Sequence, residues 1–412
     1  MARGRLLFLF LLLCVAGALA WWATHRAVPP ISFLAPKMRL TPVHFADLPD
    51  WKRTDPRAAL TAFARSCAAL VKKPDNTPMG GAGYAGNVGD WREVCAAIPQ
   101  GEAGASAARA FFEHWSSPVA VSLDDDANGT FTGYYEPEIR GSRTKHGAYQ
   151  VPVYATPDNL VGVDAGDFLP DLAGRHFTGC VQGHKLVKCA ARADIDAKGL
   201  QQAKILFYAD DPIAVFFLHI QGSGRVRFDD GSMARVNYDA QNGQPYTAIG
   251  KTLIAMGVPR DGMSMQVIRK WLIDHPRDAR RVMETDKSFI FFREEPIHDA
   301  SEGAPGSEGV ALTPGASLAV DMKLHPLGVP MFVAATRPDS EPDRDNHPFD
   351  TLMVAQDSGG AIKGAVRGDV FWGFGTDAES IAGRMKSSGK LYVLLPKALA
   401  QRLSPSAEYA VP

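Results

Sequence analysis

Gln356–Gly375 reads QDSGGAIKGAVRGDVFWGFG, and in one short run it gathers two carboxylates, a lysine, six glycines and a cluster of aromatics. The preceding Thr351-Leu-Met-Val-Ala355 is apolar and ends at Gln356-Asp357, as a buried strand does when it delivers a carboxylate at its end. Ser358-Gly359-Gly360 then permits a tight turn and the close approach of a backbone or a ligand. After Ala361-Ile362-Lys363-Gly364 and Arg367-Gly368, Asp369 heads Val370-Phe371-Trp372-Gly373. Two short strands joined by a glycine-rich loop would bring Asp357 and Asp369 to one rim.

Cleavage of a glycosidic bond needs one carboxylic acid that stays protonated near neutral pH, and an apolar wall or a second carboxylate raises an aspartate pKa to that end. Asp369 has the apolar, aromatic surround, whereas Asp357 sits among serine and glycine. Asp369 is therefore the candidate acid. The competing reading is that both aspartates cap backbone amides in turns.

The order Asp357, Gly359-Gly360, Ala361-Ile-Lys-Gly364, Asp369 and an aromatic-Gly pair resembles the catalytic segment of the membrane-bound lytic murein transglycosylase A family. The resemblance implies that Asp369 is the catalytic acid/base, Asp357 its accompanying carboxylate and Asp321 the third aspartate of the family's C-terminal module. Phe131–Ser142 (FTGYYEPEIRGS) and Ile220-Gln221-Gly222-Ser223-Gly224 match the same family. Tyrosine faces and hydroxyls suit a sugar cleft. Thr132, Tyr134, Tyr135, Gln221, Gly222, Ser223, Gly224, Gly359, Gly360, Lys363 and Trp372 are thus the candidate substrate contacts, with Asp357 and Lys363 tuning Asp369. Tyr246, Ile249-Gly250-Lys251 and Met263–Trp271 also resemble the family, Lys251 being read mainly as a solvated helix residue.

Composition bounds the rest. With 412 residues, 46% of them hydrophobic, the chain is long enough for two or more domains. The 44 Lys and Arg nearly balance the 45 Asp and Glu, so no charge field argues for nucleic acid. Met1-Ala-Arg3-Gly-Arg5 followed by apolar Leu6–Trp22 reads as a signal peptide or retained membrane anchor over residues 1–26, with Ala18-Leu-Ala20 as a cleavage site. Cys14 lacks small residues before it, which argues against lipidation. Residues 27–43 are proline-rich and read as a linker. In an exported chain Cys67–Cys95 and Cys180–Cys189 are the economical disulfides, the alternative being four buried thiols.

Helical spacing appears at Pro56–Leu70, Asp90–Ala97, Gly104–Ser116, Tyr246–Met256, Met263–Asp274 and Thr376–Met385. Short apolar runs divided by Pro, Gly and Asp, among them Tyr149–Tyr154, Ile205–Tyr208 and Ala214–Ile220, read as strands of a small β-barrel. The expected architecture is mainly β with peripheral helices. Residues 44–136 and 299–412 make one discontinuous body and 137–298 an inserted second one. The family resemblance implies a double-psi β-barrel for the first, a smaller β-barrel for the second and a groove between them. It further implies a carbon–oxygen lyase of the bacterial periplasm and envelope that cuts peptidoglycan strands, without metal or cofactor, as a monomer that meets other cell-wall proteins. A peptidoglycan hydrolase, or a noncatalytic wall-binding barrel, are the alternatives.

Overall fold

Strand pairing closes a ring of six strands, five from the C-terminal third of the chain and one from its first third. The computed structural model describes residues 36–297, 299–342, 344–403 and 407–411. The signal or anchor segment, Cys14 and the first part of the linker lie outside the described residues. Residues 37–412 form one compact unit. The second part of the expected linker is a strand: Lys37–Pro42 pairs with Ser116–Leu123 and with Ala407–Ala410. Met38 and Leu40, fully buried on one face, account for it, since period-2 burial outweighs the proline content around them.

Nine strands form the larger sheet, in the order Pro330–Arg337, His347–Ser358, Ser317–Val320, Arg367–Phe374, Gly129–Glu136, Lys386–Pro396, Ser116–Leu123, Lys37–Pro42, Ala407–Ala410. Pro330–Arg337 pairs again with Lys386–Pro396, Phe332 opposite Tyr392, so the first six strands close into a barrel. Two pairs in this ring are parallel, Ser317–Val320 with His347–Ser358 and Arg367–Phe374 with Gly129–Glu136. Parallel neighbours need long crossovers. The crossover from Gly129–Glu136 to Arg367–Phe374 contains the whole second lobe. Inward side chains such as Phe131, Leu318, Met331, Val354, Val370 and Val393 fill the barrel, each at most 1% exposed. Helix Arg57–Leu70 packs Phe63 and Cys67 onto this core, and Cys67 is bonded to Cys95 beyond it.

The second sheet runs Ile290–Glu295, Met233–Gln241, Ser223–Phe228, Glu138–Ser142, Ile205–Ala209, Val151–Tyr154. Its two edge strands come into contact, so the sheet curls toward a barrel. A three-stranded appendage, Leu160–Asp164, His176–Gln182 and Lys185–Val187, is tied by Cys180–Cys189. The strand expected at Ala214–Ile220 is instead part of a helix, Pro212–Gln221. Asp211 caps it, its carboxylate accepting from the Ile213 amide at 2.8 Å, and Pro212 occupies the first turn. The segment is apolar on every side because Val215 and Leu218 enter the core of the curled sheet while Phe216 and Phe217 enter a helical cluster with Leu253, Leu272 and Val282. A helix that is apolar all round shows no amphipathic period, which is why its sequence resembles a strand.

Two buried arginines pin the lobes. Glu136, fully buried at the end of its barrel strand, accepts from Arg225 Nε at 3.0 Å and Arg235 Nε at 2.5 Å. The same guanidinium groups donate to the carbonyls of Ala300 and Glu302 in the returning chain.

Candidate active site

Asp369 lies on Arg367–Phe374, between Ser317–Val320 and Gly129–Glu136, opposite Ala319 on one side and Thr132 on the other. Asp357 is also opposite Ala319, across the other edge of that short strand, where a bulge shifts the register. The two aspartates are therefore not hairpin partners, as a simple glycine-rich loop would have made them. One strand stands between them, and their backbones lie roughly 10 Å apart, two strand spacings. This separation follows from the parallel pairing of Ser317–Val320 with His347–Ser358.

The Thr132 hydroxyl donates to Asp369 Oδ1 at 2.5 Å and itself accepts from Arg367 Nη2 at 2.8 Å. Burial pushes the Asp369 carboxyl above the ordinary aspartate range. The Thr132 hydrogen bond and the Arg367 charge oppose this, while the charge of Asp357 adds to it. Asp369 nevertheless keeps an accessible face. Asp357 is held from three directions: Tyr134 donates its hydroxyl to Oδ2 at 2.7 Å, and the Ser307 amide, the Ser307 hydroxyl and the Ser358 amide each donate to Oδ1 at 2.9 Å. The Tyr134 ring packs on Phe371, centroids 5.3 Å apart, and burial with the two aspartates raises its phenol well above its usual range.

A cleft of ≈ 450 Å³ opens beside Thr132, walled by Gly133 and Met385 on the barrel and by Phe216, Gln221 and Tyr246 on the other lobe. Burial pushes the Tyr246 phenol up to about 12, with Asp286 and Asp369 adding to it. A larger cavity, ≈ 740 Å³ around Tyr154, Arg192 and Met283, contains none of the sequence candidates.

Several candidates have other duties. Gln221 ends its helix, accepts the Tyr135 amide at 3.1 Å and so ties the lobes together while lining the cleft. Gly222 is the left-handed C-cap at φ 79°, and Ser223 and Gly224, both buried, open the next strand, so the stretch after the expected strand Ala214–Ile220 is a helix cap. Tyr135 alternates away from Thr132 and Tyr134 and packs on Ala378 and Ala382. Trp372 likewise points away from the Asp369 face: it packs on Phe349 and crowds Gly133, where a Cβ would stand 2.6 Å from its indole nitrogen. Lys363 does not reach Asp369. It is exposed, and its ammonium lies 3.8 Å from Asp321 Oδ1. Asp321 accepts the Gly364 amide at 3.0 Å and the Lys323 amide at 3.2 Å, which makes it a buried turn anchor under Asp357 and Asp369's loop. Gly359 and Gly360 form the turn after Asp357, closed by the Ile362 amide on the Gly359 carbonyl at 2.9 Å.

Sequence reasoning missed Ser307, Tyr246 and a polar cluster behind Asp357. In that cluster Gln356 Nε2 donates to Ser66 Oγ at 2.9 Å, and Ser66 Oγ donates to Glu308 Oε2 at 2.6 Å. Ser307 sits in a loop with no catalytic pattern, so only its docking on Asp357 marks it. Tyr246 stood inside a matched patch, where its aromatic character was the available signal. Among the described residues no three His, Cys, Asp or Glu gather as around a metal ion.

Residues 130–293 match the MltA specific insert domain and 316–395 the 3D domain. The chain is 32% identical over 274 residues to membrane-bound lytic murein transglycosylase A of Escherichia coli K12, covering 66% of this chain and 67% of that one. The crystal structure of a membrane-bound lytic murein transglycosylase from Agrobacterium tumefaciens superposes with a TM-score of 0.77 at 33% identity, covering 88% of this chain and 99% of that one. E. coli MltA with bound chitohexaose superposes at 0.61 and 26% identity, over 87% of this chain and 94% of that one. The closed six-stranded ring is the double-psi β-barrel of these structures, accompanied by their second domain. The chain belongs to the membrane-bound lytic murein transglycosylase A family.

Proposed function

We propose that the protein is a lytic transglycosylase that cleaves the β-1,4 bond between N-acetylmuramic acid and N-acetylglucosamine in peptidoglycan and leaves 1,6-anhydromuramic ends. The observation that carries this is Asp369, an aspartate biased toward its neutral form that keeps an accessible face and is hydrogen-bonded to Thr132 on the wall of the cleft. Its relatives' names, and the chitohexaose bound to one of them, support the substrate class.

In this mechanism Asp369 protonates the glycosidic oxygen as the bond to the muramyl C1 breaks and positive charge spreads over C1 and the ring oxygen. The resulting carboxylate takes the proton of the muramyl C6 hydroxyl, whose oxygen closes on C1, so no water is consumed. Thr132 fixes the orientation of the Asp369 carboxyl. Asp357, anchored by Tyr134 and Ser307, adds negative potential that favours the neutral acid before the reaction and the cationic sugar during it. The glycan lies between the barrel and the inserted lobe of residues 137–298. The enzyme acts in the cell envelope as a monomer, and its N-terminal segment carries it there.

Purified protein and its Asp369→Asn variant, incubated with sacculi, test the reading. Anhydromuropeptides are expected from the parent, with a loss of at least about a thousandfold in the variant. Products heavier by one water would make the enzyme a hydrolase. Binding to sacculi without release of fragments would leave a wall-binding barrel instead.

A further inference from the structure

The cleft beside Thr132 carries more positive charge than a glycan needs. Lys251, Arg260 and Lys386 line it, and no aspartate or glutamate is among the described residues that do. This holds in a chain whose formal net charge is −1. Other cations beside this wall are already engaged, Arg269 with Glu379 at 3.5 Å and Arg367 with the Thr132 hydroxyl at 2.8 Å. Lys251, Arg260 and Lys386 have no ion-pair partner among the described residues. The neighbouring carboxylates are engaged elsewhere: Asp286 accepts the Thr247 amide at 2.9 Å, Asp369 accepts from Thr132, and Asp261, next to Arg260, is not part of the wall. Beneath the cations the wall is apolar, with Phe217, Ile254, Met263 and Ile268. Lys386 lies opposite Thr132 in the strand register, so the charged wall begins two strand spacings from the catalytic carboxyl and continues on the facing lobe at Lys251 and Arg260.

The sugar rings and N-acetyl groups are neutral, and on a peptide-bearing strand the muramyl lactyl carboxyl is tied up as an amide, so the strand itself satisfies hydroxyl and amide partners rather than ammonium groups. The substituent of peptidoglycan that combines small apolar side chains with free carboxylates is the stem peptide on the muramyl lactyl group. We propose that Lys251, Arg260 and Lys386 form a subsite for the carboxylates of that stem peptide, so that the enzyme selects peptide-bearing over naked strands. The inference rests on the transglycosylase reading above. Each exposed pair with a carboxylate contributes about 1.5- to fivefold in affinity, so three together amount to about tenfold, screened by salt.

The test uses the purified protein on glycan strands of one length, either with stem peptides intact or naked, the latter stripped by an amidase and with the lactyl carboxyls so freed capped as methylamides. The parent is expected to show about tenfold higher kcat/KM on peptide-bearing strands, carried by KM and shrinking as salt rises. The triple variant Lys251→Gln, Arg260→Gln, Lys386→Gln is expected to lose that preference while changing naked-strand rates less than about twofold. Peptide-bearing strands with methyl-esterified carboxylates should behave as naked ones with the parent enzyme. Equal loss of the triple variant on both substrates, or no loss on either, overturns the proposal. So does a parent with no preference. A parent that cleaves neither strand removes the transglycosylase reading itself, and this subsite with it.

Discussion

Replacing Glu308 with Gln should flatten the pH dependence of stability. Glu308 docks the loop that carries Ser307, its amide bonded to the Gln356 carbonyl at 3.0 Å. Its Oε2 receives the Ser66 hydroxyl, while Oε1 is enclosed without a hydrogen-bond partner among the described residues. Lys73, beyond the end of helix Arg57–Leu70, is the cation among the described residues that favours its ionised form. Burial dominates and pushes the carboxyl from 4.5 up to about 7. Because the folded value lies above the unfolded one, the associated stabilisation is complete below about pH 4.5 and is lost as pH rises through about 7. At about 1.4 kcal/mol per unit, the loss amounts to about 3 kcal/mol. Glutamine has nearly the same shape and does not titrate. Urea unfolding of parent and Glu308→Gln at pH 4.5, 6 and 8 should therefore show the variant gaining up to about 3 kcal/mol on the parent between the first and last of these. Parallel curves across that range would mean that Glu308 is ionised and satisfied in the folded protein, and the reasoning would fail.

Thr132→Val removes the hydrogen bond that favours ionised Asp369, so the alkaline limb of kcat/KM against pH should move to higher pH, with a loss of about ten- to hundredfold at the optimum. Thr132→Ser should restore the parent profile, and an unmoved limb in the valine variant would separate Thr132 from the acid's titration. Glu136→Gln leaves Arg225 and Arg235 buried without their counter-charge and should cost about 3–5 kcal/mol in urea unfolding. A cost below about 1 kcal/mol would show that the carbonyls of Ala300 and Glu302 suffice for both guanidinium groups.

Local pattern alone made much of this protein legible. The unbroken apolar runs Leu352–Ala355 and Leu391–Leu395, the helix at Met265–Asp274 and the two disulfides need only neighbours in sequence or short spans. Asp369 could be singled out because its apolar flank is written next to it. What the chain order could not convey is which strands meet. Ser317–Val320 wedges between the two aspartates, and Gly129–Glu136 arrives from over two hundred residues away to put Thr132 on Asp369. Parallel pairing across long crossovers is a property of the closed barrel, not of any segment in it. The same holds for the side chains turned the other way. Trp372 and Tyr135 carry the composition of a sugar platform, yet strand alternation sends both beneath helix Thr376–Arg384, because a pleat offers each residue one face and the register decides which. The Pro212–Gln221 helix was illegible for a related reason: apolar on nearly every side, it has no polar face to betray its period.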